Sequence, residues 1–75
     1  MHANSPMIRM ANQIGRFFES MPDLSEALAG TVQHMKNYWE PRMRRELLVQ
    51  IDADGGNGLD AFVAEAITRH RDLLA

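Results

Sequence analysis

Calcium is the first chemistry the sequence invites. Asp54-Gly55-Gly56-Asn57-Gly58 mixes carboxylate, amide and glycine as a cation loop would. An EF-hand needs oxygen ligands at loop positions 1, 3 and 5, glycine at 6 and a bidentate Glu at 12. Counting from Asp52 puts Asp54 at position 3 but Gly56 at 5, Asn57 at 6 and Val63 at 12. Counting from Asp54 does no better, so the segment reads as a flexible helix–helix linker. Zinc also lacks its pattern. His2, His34 and His70 make no i, i+4 pair on a helix face, and no histidine–carboxylate trio stands out. His70 falls within an apolar stripe and His34 at the edge of another; both read as packed or interfacial. Ser5, Ser20 and Ser25 occupy cap and turn positions outside any Gly-x-Ser-x-Gly elbow. Without cysteine there is no thiol nucleophile, thiolate metal site or iron–sulfur ligand.

Recognition chemistry is better supplied. In Tyr38-Trp39-Glu40-Pro41-Arg42-Met43-Arg44-Arg45, two large aromatics end one helix and three arginines open the next. Aromatics, Met and Arg are enriched at interface centres. Arginine in a first helical turn opposes the helix dipole. Carboxylates of a partner would relieve that cost, and so would Glu40 or Glu46. Trp39 suits a core position with one edge outward. Arg42, Arg44 and Arg45 fit either an interface or a solvated face. A short helix opening on arginines after a tight turn also has the outline of a nucleic-acid recognition helix. The net charge of −2 and the lack of a second basic patch oppose that.

Composition sets the limits within which these residues work. A chain of 75 residues makes one domain with a thin core. Scaffolds this small gain support from disulfides, metal or a partner, and with no cysteine a partner is the open route. The N-terminus has no apolar signal-peptide core, and no segment is long and apolar enough to span a membrane. The expected location is the cytoplasm.

Four amphipathic helices must position the corner, giving an all-α fold, either a compact bundle or an orthogonal array. Residues 1–5 are expected to be a flexible tail and 6–75 a single helical domain. Ser5-Pro6 starts the first helix, with Met7, Met10, Ala11, Ile14, Phe17, Phe18 and Met21 on one stripe. Pro22-Asp23 makes a turn, and Asp23 with Glu26 forms a capping-box pattern. Leu24, Ala27, Leu28, Thr31, Met35, Tyr38 and Trp39 line the second helix. Gly30 inside it costs up to about 1 kcal/mol and reads equally as a close neighbouring backbone or a tolerated defect. Pro41 opens the third helix, running to about Ala53, with Met43, Leu47, Leu48 and Ile51 inward and Val49 outward. Asp60 caps a last helix striped by Phe62, Val63, Ala66, Ile67, His70, Leu73 and Leu74.

Two of these segments carry a family resemblance. Met7-Ile8-Arg9-Met10-Ala11-Asn12-Gln13-Ile14-Gly15-Arg16-Phe17-Phe18 resembles the opening motif of the delta subunit of NAD-dependent formate dehydrogenase. Tyr38-Trp39-Glu40-Pro41-Arg42-Met43-Arg44 is similar to that family's Phe/Tyr-Trp-Asp/Glu-Pro-Arg-Met-Arg signature. Pro22-Asp23 and the glycine-rich loop before Leu59 follow in the family's order. The resemblance runs from Met7 to about Ile67, and the two motifs together are specific. Ala61 departs from it, standing where the family pattern has Pro after the last helix's cap.

The resemblance implies a non-catalytic accessory subunit of a soluble, cytoplasmic enzyme that oxidises formate and reduces NAD. It places the molybdenum or tungsten pterin, the iron–sulfur clusters and the flavin on larger subunits, with no cofactor in this chain. The implied partner is the catalytic alpha subunit, which this chain would bind and stabilise or help mature. The candidate contact residues are Arg9, Arg16, Trp39, Pro41, Arg42, Met43, Arg44 and Arg45. Two rival readings remain: a helical nucleic-acid-binding or regulatory module, and a self-associating helical protein such as a homodimer.

Overall fold

The computed structural model describes residues 5–75, so most of the expected tail, including His2, lies outside the described residues. Four helices follow one another: α1 (Pro6–Glu19), α2 (Leu24–Tyr38), α3 (Pro41–Asp54) and α4 (Ala61–Arg69), with a closing 3-10 turn over Arg71–Leu73. The described residues form an all-α fold with no strand. Local chemistry sets the helix starts. Ser5 caps α1, its Oγ accepting the Ile8 amide at 3.2 Å and donating to Gln50 Oε1 at 3.1 Å. Asp23 caps α2 by accepting the Glu26 amide at 3.0 Å. Pro41 takes the first position of α3, where a missing N–H costs nothing.

Helix α2 is the centre of the fold, packed against α1, α3, α4 and the closing turn. The core gathers Ile8 and Ala11 of α1, Leu28, Val32 and Met35 of α2, Leu47 and Leu48 of α3, and Val63, Ala66 and Ile67 of α4, with Trp39 and Leu74. Two stripes differ from the sequence expectation. In α1 the buried face is Ile8, Ala11, Asn12 and Gly15, while Met10 and Phe17 point outward. In α2, Val32 is fully buried, whereas Leu24 and Tyr38 are exposed. Helix α1 carried more apolar positions than one face can bury, and small residues won the inner one.

The reason is close approach. A Cβ at Gly15 would overlap Val63 Cγ2, so glycine lets α1 and α4 meet nearly backbone to side chain. Gly30 plays a related part, but its neighbour is a ring rather than a backbone: a Cβ there would lie 2.9 Å from Phe18.

The loop between α3 and α4 is a tied turn rather than a flexible linker. Gly55 ends α3 in the left-handed conformation, with φ of 74°, and its amide bonds Ile51 O at 2.7 Å. Asp54 Oδ1 accepts the amides of Gly56 at 3.0 Å and Asn57 at 3.2 Å. The carboxylate that suggested calcium is thus engaged by its own loop. Farther on, the buried Asn12 side chain clamps the segment. Its Nδ2 donates to Gly58 O and its Oδ1 accepts the Asp60 amide, both at 2.9 Å. Asp60 holds the capping position of α4 but makes no side-chain cap bond.

Replacing Asn12 by Leu removes both bonds and leaves a carbonyl and an amide without partners. The expected loss is about 2 kcal/mol, seen as a fall in Tm on the order of 10 °C for a domain this small. An unchanged Tm would show that the clamp contributes nothing. Asp54→Ala should cost about 1 kcal/mol, while calcium added to the wild-type chain leaves its thermal melt where it was. Stabilisation by calcium would return the loop to the ion-binding reading.

Candidate functional site

Trp39 and Pro41 shape the corner between α2 and α3. Proline restricts the residue before it to extended backbone, and Glu40 accordingly has φ of −65° and ψ of 150°. Trp39 is extended as well and ends α2, its amide bonding Met35 O at 2.8 Å. The residue is only 7% exposed and sits in the core cluster with Met35, Leu47 and Leu48. It therefore braces the corner from inside. Met43 is half-buried against the same cluster.

The arginines divide. Arg42 reaches out with its side chain 85% exposed, 3.8 Å from Glu46 one turn on. So exposed a pair contributes little to stability. Arg45 and Pro41 are also exposed. Arg44 folds back instead, Nη1 lying 3.5 Å from the Lys36 carbonyl, with its buried Nε making no hydrogen bond. A guanidinium beside the C-terminal carbonyls of α2 meets the negative end of that helix dipole, which offsets its awkward place in the first turn of α3.

Arg9 and Arg16 lie on α1, away from this corner in sequence. With Asn12 and Gln13 they line an open cleft of about 200 Å³. That is smaller than the roughly 300–1,000 Å³ of ordinary ligand pockets. Arg16 Nε stands 3.9 Å from Asp60 Oδ2, a loose and exposed pair. Among the described residues no group of three or more His, Asp or Glu side chains converges as metal ligands would. His34 packs among rings, and His70 is half-buried at the end of α4.

A second surface escaped the sequence reading. Phe17 and Tyr38, expected in the core, are 73% and 75% exposed. They are the two ends of one run of rings. Phe17 meets Phe18 edge-on at 5.1 Å, Phe18 meets His34 at 5.9 Å, and His34 meets Tyr38 at 4.7 Å between centroids. The signal was present in the spacing: Gly30, His34 and Tyr38 recur every fourth residue and form a seam separate from Leu28, Val32 and Met35.

The geometry leaves Arg42, Arg45, Phe17 and Tyr38 facing outward. No curated protein and no solved structure matches the chain. A family model does: "NADH-dependant formate dehydrogenase delta subunit FdsD" matches residues 6–67. That span takes in Gly15, the clamp residue Asn12, the Trp39–Arg45 corner and the tied loop. The chain belongs to the FdsD family of formate dehydrogenase delta subunits.

Proposed function

We propose that this chain is a non-catalytic accessory subunit that binds the catalytic alpha subunit of a cytoplasmic NAD-dependent formate dehydrogenase and stabilises it or helps it mature. Family membership supports the assignment to that complex. The observation that carries the accessory role is the direction of the side chains. Pro41, Arg42, Arg45, Arg9 and Arg16 are all exposed, and Trp39 and Met43 hold the corner from beneath. Exposed arginines around a rigid apolar corner suit contact with a carboxylate-bearing protein surface.

The side chains do not suit an iron–sulfur cluster. No cysteine is present to hold an iron–sulfur cluster, and the described residues bring no three ligating side chains together for a metal. We assign the molybdenum or tungsten pterin, the clusters and the flavin to the larger subunits. The cytoplasmic assignment draws support from the lack of cysteine, which suits a reducing compartment. No helix among the described residues is long and apolar enough to cross a membrane.

A tagged copy of the chain, recovered from its own cells, should bring down the large catalytic subunit. Reversing two exposed charges together, Arg42→Glu with Arg45→Glu, should weaken that capture about tenfold while leaving the thermal melt close to wild type. Cells lacking the chain should contain less active, metal-loaded large subunit. If the wild-type chain captures no large subunit and its loss changes neither metal content nor formate oxidation, the reading is wrong. Capture unaffected by the double reversal would place the contact away from the corner.

A further inference from the structure

We infer that the run of rings Phe17–Phe18–His34–Tyr38 is the apolar centre of the docking surface, and that its occupant is an apolar patch rimmed by carboxylates on the formate dehydrogenase large subunit. The inference rests on the accessory-subunit reading above. Phe17 and Tyr38 are among the most exposed large side chains of the described residues, and ring contacts join them into one strip. Phe18 and His34 are half-buried between them and act as a pedestal. Phe18 in turn rests on Gly30. The half-buried middle of the strip thus backs its two exposed ends before any partner arrives, which lowers the ordering cost of binding. Apolar side chains grouped on a surface mark interaction sites more than singly scattered ones do.

Charge decides the occupant. At its Tyr38 end the strip adjoins the corner in sequence, where Lys36, Arg42 and Arg45 are exposed, Arg42 lies near Glu46 and Arg44 folds onto the end of α2, so that four cations stand beside two carboxylates, Glu40 and Glu46. This basic patch stands on a chain whose net charge is −2. A two-fold dimer through the strip would lay the Tyr38 end of each copy along the Phe17 end of the other, whose adjoining residues include Arg16 as well as Glu19 and so offer the arginines no excess of carboxylates. A surface bearing carboxylates around an apolar centre matches both parts at once.

The test uses the full chain with Phe17→Ala and Tyr38→Ala together. Both side chains are exposed, so circular dichroism and the thermal melt should stay near wild type, and Phe17→Leu with Tyr38→Phe supplies a milder control. Capture of the large subunit should fall about tenfold or more in the alanine pair and much less in the control. Undiminished capture by a folded alanine pair would overturn the inference while leaving the accessory role standing. A wild-type dimer in sedimentation that the same pair dissociates would also overturn it, by showing a second copy on the strip. No capture by the wild-type chain would remove both readings together.

Discussion

The structure depends on one buried amide. Asn12 lies in the middle of the inward face of α1, a position where its neighbours are Ile8, Ala11 and Gly15. Leaving a polar group there unpaired would be costly. The Asn12 side chain is instead paired at both ends with backbone of the segment leading into α4, on Gly58 and Asp60. This fixes where α4 begins relative to α1. Gly15, one turn later, then lets Val63 of α4 come against the helix. The clamp and the close approach act on the same pair of helices, so the thin core is closed by specific geometry as well as by apolar area.

That arrangement explains what the sequence could and could not disclose. Helix starts were legible because they are local: Ser5-Pro6, Asp23 with Glu26, and Pro41 each act within a few residues. Helix α3 was legible too, with Leu47 and Leu48 inward and Val49 outward as its spacing predicts. The inner face of α1 was not. Its apolar residues are in surplus, and only the tertiary demand for small side chains beside α4 decides between Met10 and Gly15. The tied loop was also hidden, because its tether comes from Asn12, far away in sequence. Asp60 sits at the expected cap position, yet its amide serves Asn12 and its carboxylate lies toward Arg16.

The candidate surface shows the same division. The Trp39–Arg45 segment was visible as an unusual composition, and the proline and tryptophan do make a rigid corner. What composition could not tell is which members reach solvent. Trp39 is committed to the core, Arg44 turns back on the end of α2, and Arg42 and Arg45 remain outward. For Phe17 and Tyr38 the spacing predicts an inward place, because a large apolar residue on a helix normally belongs there. Their outward placement became apparent only with α1 and α2 seen side by side.

Gly30 gives this arrangement a practical meaning. To anyone engineering a hardier variant, a glycine in the middle of a helix is the obvious residue to replace, and Ala would ordinarily gain about 1 kcal/mol. Here the added methyl would press on the Phe18 ring at 2.9 Å. Relief would come by shifting that ring, whose packing partner on this side is His34. The helix-propensity gain and the seating of the Phe18 ring are therefore set against each other at a single atom.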